Sequence, residues 1–410
     1  MKGQGKILMI IMDGMGDRAV DSLGWRTPLQ VANHPNIDWF AKEGTSGIVD
    51  TISPGIRPGS DTAHLSLLGY DPFQIYTGRG PFEAAGVGLV GEEGDVAFRC
   101  NFATVNGSMK VVDRRAGRIR RPDTTELVSP FKDMEIDGIK IEVQEATEHR
   151  AVLVLKGKGL SPKVTDVDPH KEGALHECRP LSPEAEKTAR VVDEFVRRSH
   201  QLMRDHPVNR RRGKEGKNQA NILLPRGAGS FPHIQSFEEK WGLRASCVSG
   251  VGLIKGIGRV LGMNVVERRE FTGGLDTDMH AKVGTALELL RRDDFVLMNI
   301  KAPDIPSHDG DARSKVEVAQ RIDGVIGELR SGMDDETAVA FMADHCTPIE
   351  VKDHSGDPVP LTIYCDSALR DGNSRFDECS NAGGALGRLR GSDVLPILLD
   401  KVNRSQKFGA

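Results

Sequence analysis

The chain is predicted to fold as an α/β protein: a mostly parallel sheet core with helices on both faces, interrupted by an inserted smaller α/β domain. Three observations carry this. Strand-like apolar runs alternate with helical periods at both ends of the 410-residue chain, which is the pattern of βαβ units. The middle of the chain has a different texture, made of short alternating runs between turn residues. Four clusters of acidic and histidine residues lie only in the outer portions, and an α/β fold gathers its ligands at the carboxyl ends of its strands.

The elements follow in order. Residues 6–12 (KILMIIM) read as a buried strand, and the loop after them carries Asp13. Residues 35–42 have helical spacing, and 47–52 read as a second strand leading to the loop that presents Ser60. Residues 61–68 suit a helix, which puts Ser60 near a helix N-terminus, where backbone N–H groups and the macrodipole favour an anion. Residues 95–155 hold the runs VAFRCNFATV, MKVVDRR, IKIEVQEA and RAVLVLKG, a strand-rich pattern. A helical period follows at 183–203, with Val191, Val192, Phe195 and Val196 on one face. The charged stretch VNRRRGKEGKNQ at 208–219 is expected to be a solvated loop. Helical patterns at 251–262, 276–292 and 312–330 then interleave with strands at 295–300, 337–343 and 361–365. The expected division is a core of residues 1–85 and 236–410 with an insert of 86–235.

Composition narrows the class. A net charge of −4 shows no global bias toward nucleic acid or a membrane surface, so a phosphate site has to be a local basic patch. No segment reaches the roughly 18 to 20 apolar residues needed to span a bilayer. The first apolar run is too short for a secretory signal and lacks a cleavage site, which places the protein in the cytoplasm. Six cysteines without CxxC spacing (Cys100, Cys178, Cys247, Cys346, Cys365, Cys379) speak against a disulfide framework or zinc site. Cys346, beside His345, reads either as a soft ligand or as a reduced neighbour packed beneath the site.

The four clusters are IIMDGMGDR around Asp13, RPGSDTAH around Ser60, APDIPSHDGD around Asp304 and His308, and ADHCTPIEVKDHSGDPVP around Asp344, His345 and His354. Hard or borderline cations such as Mn²⁺ take carboxylate and imidazole ligands. Two divalent ions about 4 Å apart bind both the attacking and the leaving oxygen of a phosphoryl transfer. Asp13, Asp304, His308, Asp344, His345 and His354 have that composition, and Ser60 supplies a hydroxyl that a metal helps deprotonate. Each signal has a plainer reading. An Asp-Gly after a strand is commonly a turn, and a serine at Ser60 commonly caps its helix. Pro303 and Pro306 are expected to make the Asp304–His308 stretch a loop. Asp344 and His345 at the end of a buried strand are costly unless paired or metal-bound.

The order DGMGD, PGSDTAHLSLLGYDP, TGRGPFEAAGVG, DPHKEG, RGAG, IKGIGRVLGM, PDIPSHDGD, ADHCTP and HSGDPVP, running from about residue 6 to 400, resembles cofactor-independent phosphoglycerate mutase of the archaeal type, in the alkaline phosphatase superfamily. The resemblance implies an alkaline-phosphatase-like core with an inserted phosphotransferase domain and two divalent metal ions, usually Mn²⁺, with Co²⁺, Mg²⁺ and Zn²⁺ compatible. It implies that Asp13, Ser60, Asp344 and His345 hold one ion and that Asp304, His308 and His354 hold the other. Ser60 is then the residue phosphorylated during interconversion of 3- and 2-phosphoglycerate.

Forked arginines suit the phosphate and carboxylate of such a substrate. The candidates are Arg79, Arg99, Arg114, Arg118 and Arg226, with Lys255 as a point charge on the phosphate. Asp168 and His170, in DPH, are read as an acid and a base flanking the glycerate hydroxyls. The partner expected is this small molecule, with no nucleic acid and no membrane, for a monomer or homo-oligomer. The competing reading is a metal-dependent phosphohydrolase, or a phosphotransferase acting on another small phosphorylated metabolite.

Overall fold

The computed structural model describes residues 4–407 and residue 409. It divides into two compact units: the residues up to Gln74 together with those from Gln235 onward, and the contiguous stretch Ile75–Ile234.

The first unit is built on an eight-stranded sheet. Its spatial order is Asn264–Val266, Ala245–Val248, Phe295–Ile300, Lys6–Met12, Thr337–Met342, Val359–Tyr364, Thr45–Asp50 and Gly387–Arg390. Lys6–Met12 lies in the centre, parallel to both Phe295–Ile300 and Thr337–Met342. Its residues from Ile7 to Met12 are fully buried, as expected of a strand covered on both faces. Among the described strands of this sheet only Val359–Tyr364 runs against its neighbours. Its amino end therefore lies on the same edge as the carboxyl ends of the others. The loops after Met12, Asp50, Ile300 and Met342, and the loop before Val359, all emerge on that edge.

Helices cover the sheet, including Pro35–Glu43, Ser60–Leu67, Gly252–Val260, Met279–Leu290 and Ala312–Gly332. Asp304–Asp309 is a short helix rather than the expected loop. Pro303 caps it and Pro306 falls in its first turn, where the missing N–H has no intrahelical acceptor to lose. None of the described helices is long and apolar enough to cross a membrane.

Lys282, on Met279–Leu290, is fully buried. Its ammonium donates to Asn299 O at 3.0 Å, and burial lowers its pKa to about 8 from 10.5. Its favourable contribution is thus present above pH 10.5 and lost as pH falls through about 8. The gap corresponds to roughly 3 kcal/mol. Lys282→Met is therefore expected to stabilise the protein by about 2–3 kcal/mol at pH 7, with the gain fading between pH 8 and 10.5. Denaturant melts of both proteins across that range measure it.

The second unit carries an antiparallel sheet ordered Glu135–Ile136, Ile139–Glu145, Arg150–Lys156, Val96–Val105, Lys110–Asp113 and Gly173–Ala174, with Ile222–Ser230 also paired to Val96–Val105. The helix Glu186–Met203 buries Val191, Val192, Phe195 and Val196 in the core of this unit. The stretch 208–219 is not simply a solvated loop: Pro207–Lys214 is helical. Proline at its start presets the backbone. Arg212 is drawn inward because its guanidinium donates to Ala116 O, Asn218 O and Asp123 Oδ2, each at 2.9 Å.

Candidate active site

Asp13 leaves the central strand fully buried. The next residue, Gly14, has φ 67°, and a side chain there would collide with Asp304. Its N–H donates to Asp344 Oδ1 at 3.0 Å. The turn that reads as ordinary Asp-Gly in sequence thus brings three carboxylates together, and only glycine fits it. Ser60 is the first residue of Ser60–Leu67. Its side chain does not cap the helix, whose N-cap is Gly59; Oγ lies 3.2 Å from His345 Nε2.

The hydrogen bonds assign the histidine tautomers. Thr347 Oγ1 donates to Asp304 Oδ1 at 2.9 Å, so it accepts from His345 Nδ1 at 3.0 Å. His308 Nδ1 donates to Lys352 O at 2.9 Å, and His354 Nδ1 to Pro58 O at 2.8 Å. In all three rings Nε2 is left facing the carboxylates. It lies 3.6 Å from Asp13 Oδ1 for His345, 3.3 Å from Asp304 Oδ2 for His308 and 4.0 Å from Asp304 Oδ1 for His354. Histidines that ligate metals hold their other ring N–H on an oxygen in this way.

Two groups of donor atoms each lie within 4.8 Å of one another: Asp304, His308 and His354, and Asp13, Asp304 and His345. Asp344 Oδ2 is 3.4 Å from His345 Nε2. It is buried without a hydrogen-bond partner, an expensive condition for a carboxylate oxygen unless a cation joins it. Burial and then Asp13 raise the Asp344 carboxyl to about 7. Burial lowers His345 to about 4, whereas the hydrogen bond to Asp304 raises His308 to about 8. Carboxylates, the His345 and His354 imidazoles that burial keeps neutral, and His308, which gives up its Nε2 proton on binding, fit divalent ions, with one buried oxygen left unsatisfied.

All seven metal-ligand candidates therefore gather on one edge of the first unit. Four further residues complete their surroundings and were not singled out from sequence. Lys301 Nζ lies 2.7 Å from both Asp13 Oδ1 and Asp304 Oδ2. Asn299 Nδ2 donates to Asp13 Oδ2 at 3.1 Å. His64 donates to Ser60 O at 2.7 Å. Thr347 joins Asp304 to His345. His64 and Thr347 stand inside the quoted motifs, and Lys301 adjoins one, so position was available as a signal although residue type alone was not. Lys255 is elsewhere engaged, with Nζ 3.3 Å from Glu267 Oε1.

The second unit holds a basic cluster on its sheet. Arg99 pairs in register with Arg226, and Arg150 with Asn101. Arg79 Nε donates to Glu83 Oε1 at 2.9 Å, and Arg99 Nε is 3.8 Å from the same oxygen. Arg114 grips Asp168 with two bonds, at 2.8 and 2.7 Å, and Arg226 Nε is 3.5 Å from Asp168 Oδ2. Five guanidiniums thus face two carboxylates. The Nε atoms of Arg99, Arg150 and Arg226 are buried without a hydrogen-bond partner. Burial and then Arg150 push the Arg99 pKa down, the electrostatic mark of a site short of anions.

Arg150 is the member that sequence reasoning missed, because an arginine opening a strand reads as an exposed edge residue. Arg118 is exposed in a turn with φ 54°, outside the cluster. Both Asp168 oxygens are occupied, and although burial raises its pKa, Arg114 and the His170 N–H bring it below the ordinary range. That suits orienting arginines better than moving protons. His170 Nε2 is 3.0 Å from Asp166 Oδ2, with the side chain about half exposed.

A serine beside such donors, at the carboxyl edge of a mostly parallel sheet, belongs to the α/β enzymes that transfer phosphoryl groups with the help of divalent cations. The sequence profile of the 2,3-bisphosphoglycerate-independent phosphoglycerate mutase family matches residues 41–209. A relative so named from Methanopyrus kandleri is 50% identical, covering 99% of this chain and 98% of its own length. One from Archaeoglobus fulgidus is 47% identical, covering 98% of this chain and 100% of its own. Among solved structures, the cofactor-independent phosphoglycerate mutase of Thermoplasma acidophilum has a TM-score of 0.72 at 37% identity, covering 97% of this chain and 100% of its own. A Pyrococcus horikoshii protein has a TM-score of 0.88 at 38% identity, with both chains covered in full. The chain belongs to the family of 2,3-bisphosphoglycerate-independent phosphoglycerate mutases, isomerases acting on a small phosphorylated acid.

Proposed function

We propose that this chain interconverts 3-phosphoglycerate and 2-phosphoglycerate through a phosphoserine at Ser60, without added bisphosphoglycerate. The observation that carries this is the placement of Ser60 Oγ beside His345 Nε2, among three carboxylates and three imidazoles whose Nε2 atoms face inward. Two divalent ions held by Asp13, Ser60, Asp344 and His345 and by Asp304, His308 and His354, with Asp304 also within reach of the first, would supply charge neutralisation at the phosphoryl group and ease deprotonation of the serine. Mn²⁺ is the ion we favour, because its preferences match this mixture of oxygen and nitrogen donors; the cytoplasm is the compartment we assign.

The residues divide the remaining work. Ser60 Oγ forms the new P–O bond as the bond to the glycerate oxygen breaks, and that oxygen then takes up a proton. The helix N-terminus at Ser60 favours the negative charge that develops there. The arginines of the second unit form a cluster suited to the anionic groups of a glycerate, with Asp168 aligning Arg114 and Arg226, and Glu83 aligning Arg79. Phosphoryl then returns from Ser60 to the other glycerate hydroxyl. No water is consumed, so glycerate has to stay bound between the two transfers.

Phosphorus NMR of Mn²⁺-loaded protein with 3-phosphoglycerate alone tests this. Appearance of 2-phosphoglycerate with little free phosphate is expected; accumulating phosphate would make the chain a hydrolase and sink the reading. On the substrate side, Arg150→Met is expected to raise KM by about 10- to 100-fold, since a charged hydrogen bond contributes about 1.5–3 kcal/mol, while the metal content stays as in wild type. Steady-state kinetics with metal analysis separates the two effects.

A further inference from the structure

Lys301 follows the strand Phe295–Ile300 and sets its ammonium 2.7 Å from one oxygen of Asp13 and 2.7 Å from one of Asp304. Each carboxylate divides its oxygens in the same manner. One oxygen is tied by a neutral donor, Asn299 for Asp13 and Thr347 for Asp304. The other faces both Lys301 and a candidate ligand imidazole, His345 or His308. Lys301 Nζ thus bridges the two carboxylates through ion pairs of equal length.

We propose that Lys301 is a resident cation of the metal centre: it keeps the buried carboxylates assembled and competes with divalent ions for them, which weakens metal binding. The proposal rests on the metal-centre reading above. Three carboxylates, Asp13, Asp304 and Asp344, already carry less negative charge than two divalent ions carry positive charge. The loaded centre therefore has no need of a further cation for neutrality. Without ions the same carboxylates would be buried and mutually repelling, and there the ammonium is needed. A cation that near a divalent ion repels it. If Lys301 were only a structural pin, its removal would misplace two ligands and weaken metal binding; a competitor predicts the opposite sign.

The test is titration calorimetry of chelator-stripped full-length protein with MnCl₂, comparing wild type, Lys301→Met, Lys301→Gln and Lys301→Arg. The uncharged variants are expected to bind Mn²⁺ at least about tenfold more tightly, and Lys301→Arg to keep wild-type affinity. Their melting temperatures should fall in EDTA, and the rise on adding Mn²⁺ should exceed that of wild type. Should a stripped variant fail to refold, chelator competition starting from Mn²⁺-loaded protein reads the same affinity. Equal or weaker Mn²⁺ binding in both uncharged variants would overturn the proposal. Failure of the wild type to bind Mn²⁺ would instead overturn the metal-centre reading on which it stands.

Discussion

Ser60→Ala is expected to abolish interconversion of the two phosphoglycerates, by roughly 10⁴-fold or more, as for other enzymes that lose a covalent nucleophile. The substitution removes one oxygen from the donor set and leaves Asp13, Asp344 and His345 in place, so Mn²⁺ binding should survive in part. It also removes the contact to His345 Nε2 without disturbing that ring, which Thr347 holds from the other side. Two measurements decide the matter: phosphorus NMR turnover, and mass spectrometry of acid-quenched protein for a phosphate on Ser60. Sustained mutase activity in the variant would rule out the phosphoserine route.

Asp304→Ala is expected to lose both ions, whereas His308→Ala loses chiefly one. Asp304 stands in both donor groups, with His308 and His354 and again with Asp13 and His345; His308 stands in one. Substitutions of residues that merely orient a ligand already lower metal affinity by about 10- to 100-fold, so removal of a shared carboxylate should exceed that at both positions. Elemental analysis after dialysis against a fixed level of free Mn²⁺ gives the stoichiometry directly. Equal loss of both ions in the two variants would show that the groups do not bind separate ions.

What the sequence revealed of this arrangement depended on residue chemistry. Asp344 and His345 end a run of buried apolar residues, where ionisable groups are costly, so they declare themselves. The parallel sheet was readable from runs such as KILMIIM, because strands covered on both faces lack alternation. Lys301 was not readable. A lysine after a strand is usually solvated, and only the pairing of Phe295–Ile300 with Lys6–Met12 sets it between Asp13 and Asp304. Arg212 and Arg150 fail for the same reason: burial of an arginine depends on distant partners such as Asp123 or Glu83. Asp168 was legible as a candidate, but its hold on Arg114 emerges only from the two-pronged hydrogen bond.

The discontinuity of the first unit bears on how the molecule is made. Lys6–Met12 leaves the ribosome well before its two neighbours in the sheet, Phe295–Ile300 and Thr337–Met342, which come nearly 300 residues or more later. The inserted stretch Ile75–Ile234 is contiguous and is free to fold as soon as it is complete. Lys6–Met12 thus waits as an exposed apolar segment of the kind chaperones protect, and Thr45–Asp50, whose partners are Val359–Tyr364 and Gly387–Arg390, waits longer still. The candidate ligands are spread from Asp13 to His354, so they come together only when the last third of the chain is being made.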